Sequence, residues 1–181
     1  MTGSDRWQSR AAISGLSSTN QPSIRTPAMS HFLVTAGTLR ARSSLESADL
    51  QLGHGIWGCC TALIQQNLAR YLAPHSCGLV YVLKIGICVE FRILSAVLPL
   101  QQMDEFLRDD LRTEARFGFI RVSVTRRWAS SSQESHALLQ DVLQIPDQAE
   151  LTRRLGLGMH RLTDGEYQAI VERLGAGIPA S

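Results

Sequence analysis

The chain has few residues of the kinds that mark specialised protein classes. Of its 181 residues, 19% are charged, 6% are aromatic and 44% are hydrophobic, which is an ordinary globular composition and argues against a wholly disordered or coiled-coil chain. The longest apolar runs, 77–85 and 93–100, fall far short of the roughly 20 residues that a membrane-spanning helix needs. We therefore expect a globular protein with one hydrophobic core and no membrane partner.

Clustered metal ligands and disulfide patterns are also lacking. The chain contains four cysteines and five histidines, with no Cys-x-x-Cys pair and no close spacing of histidines. Neither a metal site nor a disulfide framework is predicted from such dispersed residues, and no cofactor is expected. The first residues lack the basic cluster and apolar stretch of a secretory signal, so a cytoplasmic protein with reduced thiols is expected.

Lysine is nearly absent. Of the 18 basic residues, Lys84 alone is a lysine and the others are arginines. A planar guanidinium can contact a phosphate through two hydrogen bonds and can stack on a base, so this bias suits a nucleic-acid partner. A GC-rich genome would favour arginine codons as well, and a net charge of +2 is too small to decide between the two explanations.

The pattern along the chain predicts an extension followed by one domain. Residues 1–28 are rich in Ser, Thr, Gln and Asn, which predicts a flexible extension, and residues 29–177 form the predicted single domain. Strands are predicted at 31–34, in a hairpin over 78–95 and at 117–124. Helices are predicted at 43–52, 61–72, 101–116, 136–143 and 148–155, and a last helix begins after Thr163 and ends at Gly175.

Five short strings, in this order, resemble the EVE domain, a relative of the YTH domain within the PUA-like fold. They are 31–34 (HFLV), 55–58 (GIWG), 72–82 (LAPHSCGLVYV), 86–95 (GICVEFRILS) and 158–170 (GMHRLTDGEYQAI). Each string is short, and their order over residues 29 to about 175 carries the resemblance. It implies an α+β (mixed) PUA-like fold, a curved β-sheet or pseudo-barrel of about five to six strands surrounded by helices.

The resemblance implies a binding module without catalysis. Such a module accepts a modified base, flipped out of a DNA or RNA strand, in an aromatic pocket. Methylated or hydroxymethylated cytosine and methylated adenine are the expected bases, and the resemblance places Trp57 in the pocket wall, although a core position is the alternative for this residue. The expected pocket residues are Trp57, Thr35, Ala36, Gly37, Thr38, Gly58 and Cys59. The residues expected to contact the nucleic-acid backbone are Arg40, Arg42, Arg121, Arg126, Arg127 and Trp128.

Two other function classes stay open at this point. The related ASCH domains include small hydrolases that use a lysine and a glutamate, so Lys84 and Glu90 are the candidate pair for action on a modified nucleoside. A catalytic lysine needs burial or a charged neighbour, and the orientation of Lys84 discriminates this alternative. The third class is a protein-interaction or specificity subunit of a defence system, with a nuclease supplied by a partner chain.

Overall fold

A computed structural model describes residues 29–38, 42–59, 67–112 and 115–180. Within these ranges the chain forms seven strands, five α-helices and two short 3-10 helices, Leu68–Tyr71 and Leu100–Gln102. The strands are β1 (His31–Ala36), β2 (Ile56–Gly58), β3 (Cys77–Val82), β4 (Gly86–Ile93), β5 (Phe119–Arg127), β6 (Met159–Leu162) and β7 (Ile178–Pro179). The helices are α1 (Ser44–Gly53), α2 (Glu105–Leu111), α3 (Ser132–Val142), α4 (Gln148–Gly156) and α5 (Asp164–Leu174).

The strands join in one mixed sheet that curls into a half-barrel. Its order is β2-β5-β4-β3-β1-β6, with the two-residue β7 added to β5. The pair of β1 and β3 is parallel, and the other pairs are antiparallel. The predicted α+β PUA-like fold is therefore confirmed, with six strands on the main path and the short β7 beyond the predicted number.

The two faces of the sheet bury two separate cores. Successive residues of a strand point to opposite faces, and β1 shows this alternation because Phe32 and Val34 lie in one cluster and Leu33 in the other. The first cluster, here called the inner core, takes residues from all six strands of the main path and also from α1. The second, the helix-covered core, packs the opposite face against α3, α4 and α5. The half-barrel interior is thus filled by the inner core.

Helix boundaries follow local capping signals. Ser43 and Glu46 form a capping box at the start of α1, and Thr163 and Glu166 form one at the start of α5. In each box the hydroxyl accepts from the third helical N–H while the glutamate accepts from the cap residue. Gly175 ends α5 with a positive φ of 77°, which favours glycine. The predicted last helix is confirmed, including both of its ends.

Several predicted elements differ from the structure. The helix predicted at 136–143 begins earlier, at Ser132, because Ser131 and Glu134 form a capping box. The described part of the helix predicted at 61–72 contains the 3-10 helix Leu68–Tyr71.

In place of the predicted helix over 101–116, the structure has a 3-10 turn followed by the shorter helix α2. This helix is only partly solvated, because Leu107 and Leu111 are buried against Phe119. The predicted strand over 117–124 is shifted, because the ladder with β4 continues until Arg127 pairs with Val89. The predicted extension, 1–28, and the first residues of the predicted helix 61–72 lie outside the described residues. Nowhere in the described part is a helix both long and apolar enough to span a bilayer.

Candidate nucleic-acid interface

Trp57 lies in the interior of the half-barrel. It occupies the middle of β2, opposite Ile120 of β5, and its side chain is 3% exposed. Its ring stacks on Phe91 with 6.0 Å between centroids and 27° between planes. Ala36 and Cys59 belong to the same inner core. A base can therefore stack on Trp57 only if neighbouring side chains move.

A glutamine of α1 fixes the end of β2 beside this tryptophan. The Gly58 N–H donates to Gln51 Oε1 at 2.8 Å, and Gln51 Nε2 donates to the Ser47 carbonyl at 3.4 Å. The Cys59 N–H donates to the Gly118 carbonyl at 2.8 Å. These bonds hold the backbone on both sides of the exit from β2. Gln51 was not among the predicted site residues, because a glutamine in a helix carries no signal of a backbone partner outside that helix.

An exposed backbone segment follows β1 at the edge of the inner core. Gly37 and Thr38 are exposed, and a Cβ placed on Gly37 would meet no atom within 4 Å. The Thr35 side chain alternates to the other face, and its hydroxyl is buried without a hydrogen-bond partner among the described residues. The structure thus brings Ala36, Trp57 and Cys59 together but directs the Thr35 side chain away from them.

Most of the predicted backbone-binding arginines form ion pairs. Arg40 lies outside the described residues, and Arg121 is exposed on β5. The other three pair with carboxylates: Arg42 with Asp110 at 2.8 Å, Arg126 with Glu90 at 3.3 Å and Arg127 with Asp49 at 3.9 Å. An exposed pair such as Arg127 with Asp49 is weak, so a phosphate can compete for that arginine more readily than for the arginine that is bound to buried Glu90.

Trp128, the predicted aromatic partner of the nucleic-acid backbone, is 9% exposed and lies in the helix-covered core. Its indole N–H donates to the Gly175 carbonyl at 3.0 Å. Arg126 lies over the ring at 5.6 Å from the centroid. The observed contacts tie β5 to the end of α5, and stacking of a base on Trp128 stays a prediction.

Lys84 and Glu90 do not form the pair that the hydrolase alternative requires. Lys84 is exposed in the turn between β3 and β4. Glu90 is 4% exposed and lies four residues beyond the start of β4, a distance of about 13 Å along the strand. It accepts hydrogen bonds from the hydroxyls of Tyr167 and Thr125, the latter at 2.7 Å. Glu90 therefore joins α5 to the sheet rather than contacting the lysine.

The Tyr167 ring forms a stacked pair beside Glu90. His31 stacks on Tyr167 with 4.0 Å between centroids, and its Nε2 lies 3.4 Å from Asp164. Burial, together with donation to Glu90, raises the pKa of Tyr167 far above its usual range, so its hydroxyl stays protonated and donates. Burial lowers the pKa of His31, with the nearby carboxylates of Asp164 and Glu90 opposing the shift.

Two further arginines share one tyrosine on the inner side of the sheet. The guanidinium carbons of Arg161 and Arg70 lie 4.0 and 4.7 Å from the Tyr71 ring centroid. Tyr71 packs against the inner core. The sequence analysis missed this group, because Arg161 comes from β6 and no local pattern connects it with residues 70 and 71.

Comparisons with known proteins identify the fold. No protein-family model matches the chain, and no curated protein matches its sequence. Human THYN1 in complex with 5-methylcytosine-containing DNA matches with a TM-score of 0.54 and 15% identity, over 82% of this chain and 99% of that chain. The DUF55 domain of human thymocyte nuclear protein 1 matches with a TM-score of 0.52 and 16% identity, over 79% and 97%. The fold is that of the DUF55, or EVE, domain.

A bacterial protein has a similar fold. Atu2648 from Agrobacterium tumefaciens matches with a TM-score of 0.51 and 15% identity, over 81% of this chain and 93% of that chain. The matches span nearly the whole of each neighbour. The fold implied by the order of the five strings is confirmed, while identities of 15–16% leave the roles of individual residues as predictions.

Proposed function

We propose that this EVE-fold chain binds DNA that carries a modified base and holds that base against Trp57, with 5-methylcytosine as the first candidate. The observation that carries the proposal is the shared fold with human THYN1, whose structure is a complex with 5-methylcytosine-containing DNA. Trp57 supports it because it lies inside the half-barrel in the same core as Ala36, the residue that precedes the exposed Gly37 and Thr38 in the chain.

The proposed mechanism is base flipping into the inner core. Unpairing and unstacking a base costs a few kcal/mol, and stacking on an aromatic side chain returns about 1 to 3 kcal/mol per base. Since Trp57 is buried, its neighbours must move to admit the base, and the exposed backbone of Gly37 and Thr38 supplies hydrogen bonds to the base edge. A buried methyl group adds about 0.8 kcal/mol, or roughly fourfold in affinity.

The proposed activity is binding without catalysis. In the hydrolase alternative a lysine must act beside a glutamate, whereas Lys84 is exposed in a turn and Glu90 is bound by Tyr167, Thr125 and Arg126. Among the described residues, those that share the inner core with Trp57 are hydrophobic, an environment that suits stacking of a base.

The test measures binding of labelled oligonucleotides by fluorescence polarisation. Single strands and duplexes carry cytosine, 5-methylcytosine, 5-hydroxymethylcytosine, adenine or methylated adenine at one position. We expect one modified base to bind at least about fourfold more tightly than its unmodified counterpart. Equal affinity for every oligonucleotide would contradict the proposal.

A substitution at Gly37 tests the location of the site without disturbing the core. Trp57→Ala would remove a large buried ring and unfold the protein, whereas a side chain at Gly37 enters open space. We expect Gly37→Leu to fold normally and to lose the preference for the modified base. Gly156→Leu is the matched control, because a Cβ at this exposed helix end also meets no atom within 4 Å. Retained preference in Gly37→Leu would place the base elsewhere.

A further inference from the structure

We propose that Arg70 and Arg161, both stacked on Tyr71, form a clamp for the phosphodiester backbone of the bound strand. The inference rests on the proposed function and extends it from the base to the path of the strand. None of these three residues was among the predicted site residues, and the clamp lies on a different part of the sheet from Arg121 and Arg126.

The clamp faces the same side of the sheet as Trp57. Arg161 on β6 lies directly opposite Phe32 of β1, and directly opposed side chains point to the same face. Phe32 belongs to the inner core, so Arg161 lies on the inner side. Tyr71 reaches this side from the 3-10 helix Leu68–Tyr71, whose Leu68 is buried in the same core. The proposed pocket and the clamp therefore lie on the same face of the sheet.

The two arginines carry charge that no carboxylate of the described residues neutralises. Within the described ranges, neither Arg70 nor Arg161 has a carboxylate within 4.0 Å, whereas Arg153, Arg154 and Arg173 each form an ion pair. Both are exposed, and Tyr71 is half-buried. A guanidinium that stacks on a ring keeps its N–H groups free at its edge, where they can bind two phosphate oxygens.

The distance between the proposed pocket and the clamp corresponds to a few nucleotides of one strand. Arg161 is opposite Phe32 of β1. Ala36, an expected pocket residue, lies four residues beyond Phe32 on the same strand, a distance of about 13 Å. A strand of B-DNA carries one phosphate per about 3.4 Å of axis, so about four nucleotides connect the flipped base with the clamp. An oligonucleotide must therefore extend at least four nucleotides on either side of the modified base for the clamp to engage in either strand direction.

The test is the salt dependence of oligonucleotide binding. A single strand with one central modified base and six nucleotides on each side is titrated at several salt concentrations. The variant is Arg70→Gln with Arg161→Gln, and its control is Arg153→Gln with Arg173→Gln, which removes the same charge from arginines already in ion pairs. Two lost phosphate contacts should lower the magnitude of the slope of log K against log salt by about 1.4, with the control unchanged.

Each outcome decides a separate point. If the wild-type protein binds and the two double variants have equal slopes of log K against log salt, the clamp is overturned and the proposed function stands. A wild-type protein that binds no oligonucleotide would overturn both. A competition experiment adds either poly-glutamate or an abasic oligonucleotide to the complex, each at the same concentration of negative charges. We expect only the abasic strand to compete strongly, and equal competition by poly-glutamate would overturn the assignment to nucleic acid.

Discussion

The hydrogen bond from Tyr167 to buried Glu90 should contribute more to stability than a comparable neutral hydrogen bond. Tyr167→Phe removes the hydroxyl that donates to Glu90 and leaves the ring stacked on His31. Glu90 is 4% exposed and is paired with Arg126, so water cannot readily replace the lost donor. A hydrogen bond to a charged group contributes about 1.5 to 3 kcal/mol, and this is the expected loss in the free energy of unfolding.

Tyr81→Phe provides the matched control. Tyr81 is also buried, but its hydroxyl bonds to His136 and Ser132, which are not carboxylates. The expected loss is about 1 kcal/mol, typical of a neutral pair. Urea unfolding followed by circular dichroism measures both variants. With a slope near 2 kcal/mol per molar urea, the midpoint should fall by about 0.8 to 1.5 M for Tyr167→Phe and by about 0.5 M for Tyr81→Phe. A loss for Tyr167→Phe no larger than that for Tyr81→Phe would refute the reasoning.

Three further stability predictions follow from individual contacts. Gly78→Ala should cost about 1 to 3 kcal/mol by thermal unfolding, because the added Cβ would lie 2.3 Å from the buried Phe91 ring; a change below 0.5 kcal/mol would contradict this. Thr163→Ala should cost about 1 kcal/mol through loss of the α5 cap, and unchanged urea midpoints would contradict it. Burial lowers the pKa of His31, so the unfolded chain takes up the proton first and stability should fall as pH drops below about 6.5. His31→Gln should weaken this dependence, and an identical pH profile would contradict it.

The fold was predictable wherever the signal is local. The capping boxes of Ser43 with Glu46 and of Thr163 with Glu166 specify a helix start without any tertiary contact. The hairpin of β3 and β4 and the helix end at Gly175 are similar cases. The third box, Ser131 with Glu134, was missed, and its helix was predicted to begin at 136 instead of Ser132. The shift of β5 toward Arg127 was not predictable, because it depends on a ladder with β4 that contains a bulge at Glu90 and Phe91.

The site was only partly predictable for the same reason. Trp57, Ala36 and Cys59 share the inner core, and the burial of Trp57 depends on the strands that pack around it, so its role in binding a base stays a prediction. The partner of Arg126 is set by the pairing of Arg126 with Glu90 across the ladder. Arg161 meets Tyr71 only because β6 pairs with β1, a contact between distant parts of the chain.

The central claim, that a modified base enters the half-barrel and stacks on Trp57, is tested most directly by the indole N–H signals of tryptophan-labelled protein in proton–nitrogen NMR spectra. A Trp57→Phe variant assigns the Trp57 signal, and an oligonucleotide with 5-methylcytosine is then added to the wild-type protein until binding saturates, beside its unmethylated counterpart. We expect a large shift of the Trp57 signal at saturation with the methylated oligonucleotide, reached at about a fourfold lower concentration than with its unmethylated counterpart, since a base stacked on the ring shields the indole proton. We expect little change at Trp128, which lies in the helix-covered core. An unchanged Trp57 signal at saturation would contradict the account.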